Sequence, residues 1–492
     1  REFKTPRRLR TVMSSRHPTS SLTEGPLLRP LVALAWPLVA IQLLQVAYNI
    51  ADTFWLGRLS ADAVGALSLA FPLVFLLISV GGGFTAAGAI LVAQHTGAGG
   101  KRAAGEIAGQ TLGFVLLVSV GLGALGFVAT GPLLAMLPTD PATAERVVPM
   151  SAAYMRVFFL GSPALFGFFI FTALMRGYGD ARAPLRVMVL SVAVNVVLDP
   201  LLIFGWGPFP AMGIEGAAVA TVAARSVAAL AGFYILFATA IGPSIRVRDL
   251  LPRREPVEKI VRLGVPSALE HSGVSLAMVA ATAIVATFPP EVLAGYGLGN
   301  RLISLVFLPA MGLSQAMNTA VGQNLGAGEP ERAEKAVRLG MVLVTTVLLV
   351  VATIAYLRPE PIVAVFLPTG TATAAATIGH ASDYLRIVAF AFVFLGLLEV
   401  ALGAFRGAGN TTTALAISLV TLWVVRLPAT YLLAFPFGWG PTGIWAAVAI
   451  ADVVGCVVAL LWLSRGTWKA SVVEKSGSGM GAAPTAEVAA VD

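Results

Sequence analysis

The residues in this chain with the most chemistry to offer are two aspartates set in apolar, helix-forming sequence. Asp199 lies in Ser191 to Gly207, SVAVNVVLDPLLIFGWG, with Asn195 one helical turn ahead of it and Pro200 directly after it. Asp52 lies in Leu31 to Leu56, LVALAWPLVAIQLLQVAYNIADTFWL, with Tyr48 four and Gln45 seven residues ahead, so all three fall on one helical stripe. An ionised carboxylate in hydrocarbon costs several kcal/mol or more, so acids at membrane depth face a bundle interior and do a job there. We therefore expect Asp52 and Asp199 to open onto one cavity. An acid in a wettable cavity is a natural acceptor for a proton or Na⁺. Asn195, Thr221 and a carboxylate offer the hard oxygen ligands that a small cation prefers. Asp52, Asn195 and Asp199 are thus the candidate Na⁺ ligands, with Thr221 as a further oxygen ligand and Gln45 and Tyr48 on the same helical stripe as Asp52. The plain alternative is that each acid is buried and neutralised. No basic residue lies near either in its own helix; Arg225, in the next helix, is a candidate partner for one of them, although it sits beyond Thr221 toward the cytoplasmic end.

A second set of ionisable residues is spread through the later part of the chain. Glu270 and His271 come early in the seventh predicted helix, and Glu399 and Asp452 fall within the tenth and twelfth. Glu270 and Glu399 are candidates for the second wall of a substrate cavity, where they would recognise cations; pairing with Arg301 or Arg426 is the competing reading. Glu270 is preferred because it follows Pro266 by one turn. Gln94, His95 and Gln323 end helices beside glycine-rich turns and read as helix-ending and interhelical hydrogen-bonding residues. His17 and His380 carry no signal. No spacing matches a zinc site, a phosphate loop or a nucleophile elbow, so neither an enzyme nor a bound cofactor is expected beyond the coupling ion. The GGGFTAAG stretch from Gly81 has no lysine and reads as close helix packing.

The elements that position these residues must be membrane helices. A mean hydropathy of +0.85, with 57% hydrophobic and only 12% charged residues over 492 positions, describes an integral membrane chain. Apolar runs of about 20 residues recur from residue 30 to 465, long enough to cross the hydrocarbon and too long for barrel strands. Breaks at Gly, Pro and charge clusters give about twelve spans, near 30–57, 62–95, 102–130, 142–175, 182–204, 212–241, 257–288, 290–325, 332–357, 375–405, 410–435 and 441–465. The net charge of +8 is scattered through short loops rather than gathered with aromatics on one face, which excludes nucleic acid as the partner. Cys456 is a lone thiol in an apolar segment and reads as a packing residue.

The chain also repeats itself. VAQHTGAG at Val92 matches VGQNLGAG at Val321, and Pro37 matches Pro266, both at an offset of 229 residues. Tyr154-Met155-Arg156 matches Tyr384-Leu385-Arg386, and RGYG at Arg176 matches RGAG at Arg406, both at an offset of 230. The fold class that follows is all-α and integral to the membrane, with two pseudo-symmetric six-helix lobes. The lobes span residues 30–241 and 257–465, joined by a basic linker at 242–256 and flanked by tails at 1–29 and 466–492, the latter read as disordered. Residues before Met13 fit either a tag or an over-extended start. With both termini cytoplasmic, the inward loops collect Lys101, Arg102, Arg176, Arg182 and Arg186, the cluster from Arg246 to Arg262, Arg332 to Arg338, and Arg406. That is the positive-inside pattern. Duplicated bundles place substrates near the midplane between repeats and work by rocking one against the other. Pro37, fifteen residues before Asp52, is the candidate hinge, since proline removes a backbone hydrogen bond and permits a bend.

YNIADTFWLGRLS at Tyr48, RGYGDARAP at Arg176, NVVLDP at Asn195 and the paired QHTGAG and GQNLGAG helix ends closely resemble the multidrug and toxic compound extrusion (MATE) family, most of all its archaeal, DinF-like branch. The resemblance covers nearly the whole membrane region. It implies two six-helix lobes around a central cavity and export of organic cations and amphipathic drugs in exchange for Na⁺ or H⁺. It also implies a cation site at Asp52, Asn195, Asp199 and Thr221, with Gln45 and Tyr48 beside it, whereas Glu270 resembles an essential second-lobe acid of other branches. The expected partners are the lipid bilayer and small drugs, and the expected working form is a monomer in the plasma membrane. Rival readings are a lipid-linked oligosaccharide flippase of the same superfamily, which should show a cationic groove, and an intramembrane enzyme or receptor, which should show a catalytic set or a soluble module.

Overall fold

The structure is a computed structural model that describes residues 20–135, 141–366 and 372–473. The expectations placed on the first tail before Ser20, His17 included, and on the last tail beyond Val473 lie outside the described residues. Twelve spans emerge once each of two bent helix pairs is taken as one span. They are α1 (Leu28–Leu59), α2 (Ala61–Gly97), α3 (Lys101–Ala135), α4 (Pro141–Leu160 with Ser162–Tyr178), α5 (Arg182–Phe204) and α6 (Gly213–Ala238). The second half runs α7 (Arg254–Val285), α8 (Pro290–Gly326), α9 (Pro330–Leu357), α10 (Ala372–Ala389 with Phe392–Gly407), α11 (Thr411–Ala434) and α12 (Pro441–Ser464). No strand occurs among the described residues.

In α1 the logic of the sequence is visible residue by residue. Leu31, Leu34, Leu38, Ile41, Tyr48, Asp52 and Leu56 are buried, three, four or seven residues apart, while Trp36, Leu43, Ile50 and Phe54 point outward, as suits a helix with lipid on one side and protein on the other. The helix continues unbroken through Pro37.

The repeat shows in the packing between halves. α2 packs against α7, and its counterpart α8 packs against α1, so the lobe interface is itself two-fold; α2 and α8 also touch each other. Small residues make this possible. A Cβ on Gly83 would sit 2.3 Å from the backbone nitrogen of Ala268 on α7, and one on Gly312 would sit 2.9 Å from that of Val39 on α1. The GGGFTAAG stretch is thus a helix contact, as its composition suggested.

Two spans expected to be continuous are bent. α4 turns by 54° between Leu160 and Ser162 and α10 by 56° between Ala389 and Phe392. In α4, Pro163 removes a backbone donor just after Gly161, which explains the break there. α10 breaks at the equivalent position with no proline, so the bend belongs to the repeated scaffold rather than to one residue. α11 carries a π-helical stretch, Val420–Arg426, that adds a local bulge absent from its counterpart α5.

The connections are more structured than their composition implied. In the linker, a 3₁₀ turn at Val247–Leu250 sets Asp249 against α3, where Arg102 donates to both of its oxygens at 2.7 and 2.5 Å. Gln110 donates to the carbonyls of Asp249 and Leu251. The Arg102 guanidinium beside Asp249 holds its carboxyl below the usual carboxylate range. Directly after α12 the chain is docked on the bundle: Trp468 is buried, and Ser471 and Val472 reach the end of α2. On the first tail, the Leu22 and Gly25 carbonyls accept from Arg332.

Candidate functional site

Three helices of the first half bring the expected residues together. On α5 the buried face runs Val187, Met188, Ser191, Asn195 and Asp199, so a single helical stripe delivers both polar groups to the interior. Asn195 donates to Asp199 across one turn at 3.1 Å, and Thr221 on α6 donates to Asp52 on α1 at 3.4 Å. The two carboxyl groups lie close enough to feel one another's charge, with Asn195 beside them. Asp199 and Asn195 are fully buried and Asp52 is 9% exposed.

Four oxygens in this cluster have no hydrogen-bond partner: Asp52 Oδ1, Asn195 Oδ1, Asp199 Oδ2 and the Tyr48 hydroxyl. Buried acceptors are normally satisfied, so a convergent set of unsatisfied ones is a place where something positive belongs. Two carboxyls in contact with an amide oxygen beside them can share a proton or coordinate a small hard cation. Asp52 lies seven residues from the end of α1, about 10 Å along the helix. The cluster thus occupies the half of the first lobe near the C-terminal ends of α1 and α5.

Arg225, the candidate partner for one of the acids, forms an ion pair with neither of them among the described residues. Its guanidinium donates to Gln45 Oε1 at 2.7 Å and stands 4.6 Å from the centre of the Tyr48 ring and 4.9 Å from that of Phe168. The aromatic faces replace water around it. The signal that would have placed it was present: a charge inside an apolar span faces the protein interior, the same rule that singled out Asp52.

The second-lobe acids are held differently. Glu270 on α7 forms an ion pair with Arg406 on α10 at 2.6 Å and accepts from Ser418 on α11 at 2.8 Å. Glu399 lies 3.9 Å from the same guanidinium. Neither Arg301 nor Arg426 is the partner. Arg406 and its repeat mate Arg176, both assigned to inward loops, instead sit in the last turns of α10 and α4 and turn inward. Arg176 donates to Gln315 on α8 at 2.7 Å. The loop charge count loses two members; the clusters around Lys101, Arg182, Arg246 and Arg332 are untouched. Ala281 and Ala429 stand where the repeat offsets of 229 and 230 would carry Asp52 and Asp199.

The lobes meet at the end of the bundle where α2, α4, α8 and α10 finish. Gln94 donates to the Gly407 carbonyl at 3.0 Å, and Gln323, its repeat mate, donates to the Gly177 carbonyl at 3.0 Å. Ser471 and the Val472 amide then cap the Gln94 oxygen. The α2 and α8 ends are in backbone contact, since a Cβ on Gly97 would lie 1.8 Å from the Gln323 oxygen and one on Gly326 would lie 2.0 Å from that of Gln94. This end is closed. Gly97→Ala or Gly326→Ala should force it apart and populate the opposite conformer, read as increased labelling of a cysteine placed at Thr319. Labelling equal to that of the parent would show that this contact is not the closure.

A family model described as MatE matches the chain twice, over residues 37–201 and 266–432. Its two copies begin at the paired prolines, so the matched unit is the structural repeat. The chain is 30% identical over 452 residues to the probable multidrug resistance protein YpnP of Bacillus subtilis, covering 91% of this chain and 97% of that one. It is 30% identical over 450 residues to the probable multidrug resistance protein NorM of Thermotoga maritima, covering 90% and 94%. Among solved structures, a MOP superfamily transporter from Pyrococcus furiosus matches with a TM-score of 0.84 at 25% identity, over 92% of this chain and 98% of that one. With the family model repeated across both lobes, the chain belongs to the MATE family of multidrug efflux transporters.

Proposed function

We propose that the protein exports organic cations and amphipathic drugs across the plasma membrane by alternating access, driven by inward movement of Na⁺ or H⁺ through the Asp52, Asn195, Asp199 and Thr221 cluster. The observation that carries this reading is the set of unsatisfied oxygens buried between α1, α5 and α6. A ligand shifts the balance between two conformers only through unequal affinity for them, and a cluster assembled from three helices changes its geometry whenever those helices repack. One chain contains both lobes and the whole cluster, so a monomer suffices. The basic loops favour a cytoplasmic position for the closed end and both termini, and on that reading this conformer is the one closed to the cell interior.

The test is transport of a fluorescent lipophilic cation by purified protein in liposomes, with Na⁺ and pH gradients imposed separately. At least one gradient should drive accumulation against the drug's own gradient; accumulation under neither overturns the proposal. The same assay examines Pro37 as hinge. Pro37→Ala restores a backbone hydrogen bond and stiffens α1, so turnover should fall severalfold with drug affinity nearly unchanged. A fall in affinity alone would remove Pro37 from the conformational step.

A further inference from the structure

The cation cluster has a resident positive charge that its ligand set does not need. Arg225 is 2% exposed, forms no ion pair among the described residues, and leaves its Nε without a partner. Its other contacts are neutral: the Gln45 oxygen at 2.7 Å, the Met188 sulfur at 3.4 Å, and the faces of Tyr48 and Phe168. A buried charge normally pairs with an opposite one. Carboxylates are at hand, because Thr221, one turn before Arg225 on α6, donates to Asp52, and Tyr48, which carries the guanidinium on its ring, lies one turn before Asp52 on α1. Gln45 and the two rings hold the guanidinium beside the cluster but off its oxygens.

A guanidinium stays charged at any working pH. With both acids ionised, as coordination of a metal cation requires, the cluster contains two carboxylates and one fixed cation, a net charge of −1, where the acids alone would give −2. Desolvated sites of charge −2 built from hard oxygens suit a divalent ion, whereas a site of charge −1 is neutralised by one monovalent ion. We propose that Arg225 is a specificity-determining residue: parked on Gln45, Tyr48 and Phe168, it sets the charge of the Asp52 and Asp199 cluster so that the cluster accepts one monovalent coupling cation and rejects Ca²⁺ and Mg²⁺. The inference rests on the cluster being the coupling site.

Radioactive calcium binding to purified, detergent-solubilised protein tests it. The wild-type cluster should bind none above the level of Asp199→Asn. Arg225→Met, which replaces the guanidinium with a side chain suited to its aromatic and thioether surroundings, should bind calcium at least about tenfold more tightly than wild type. That binding should vanish again when Asp199→Asn is added, and Arg225→Lys should behave as wild type. Asn195→Asp reaches the same −2 with Arg225 in place, so it should gain calcium binding even if Arg225→Met fails to fold. Wild-type calcium binding that Asp199→Asn abolishes, or folded Arg225→Met or Asn195→Asp protein that binds no more calcium than wild type, would overturn the role of Arg225. Calcium binding gained in Arg225→Met but indifferent to Asp199→Asn would instead mean that the cluster is not the cation site, a failure of the underlying reading.

Discussion

Asp199→Asn is expected to yield a protein that inserts, folds and no longer transports, and Asp52→Asn the same. Each substitution keeps the shape and one acceptor oxygen of the side chain but removes a charge from a desolvated pair of carboxyls. Removing one member of a buried charged contact costs about 2–5 kcal/mol, at least ~30-fold in cation affinity. Without unequal cation affinity in the two conformers there is nothing to drive the exchange, so export should fall to the level of protein-free liposomes. Folding should survive, because neither acid holds a structural ion pair and an amide is easier to bury than a carboxylate. Wild-type export in both variants would refute the assignment. Aggregated protein in both would recast the two acids as structural.

How far the sequence reached can be judged from the same residues. That Asp52 and Asp199 both turn into the first lobe was legible because two simple rules converge on it: charges in apolar spans turn inward, and residues four apart on a helix share a face. The two-lobed architecture was legible because the duplication left matched prolines and glutamines at a constant offset, and the Gln94 and Gln323 pair then appears as one two-fold contact. What escaped was set by side-chain reach and backbone defects. An arginine spans more than a helical turn, so Arg225 and Arg406 act several ångströms from where their backbone positions suggest. The bend of α10 has no proline to announce it, and the docking of 466–473 rests on one buried tryptophan, Trp468, and a few polar contacts that composition cannot distinguish from a free tail.

The second large effect belongs to Arg406, and it is of the opposite kind. Arg406 is the sole cation reaching both Glu270 and Glu399 among the described residues, and Ser418 and Ser314 complete the arrangement. Arg406→Ala leaves two buried carboxyls facing one another without a counter-charge, a change that typically costs 3–5 kcal/mol, a large share of the roughly 5–15 kcal/mol that holds a domain together. Little folded protein should be recovered, and what is recovered should melt well below the parent. Glu270→Gln should be far milder, because Arg406 keeps Glu399 at 3.9 Å and the glutamine can still accept from Ser418. The double variant Glu270→Gln with Arg406→Gln should recover much of the stability lost in Arg406→Ala, since it removes the charge on both sides. Cation binding then separates structure from coupling: Glu270→Gln should bind the coupling cation as the parent does, while Asp199→Asn binds none. If Glu270→Gln were folded and the one that lost cation binding, the coupling site would lie in the second lobe, with Arg406 as its gatekeeper, and the assignment to Asp52 and Asp199 would be wrong.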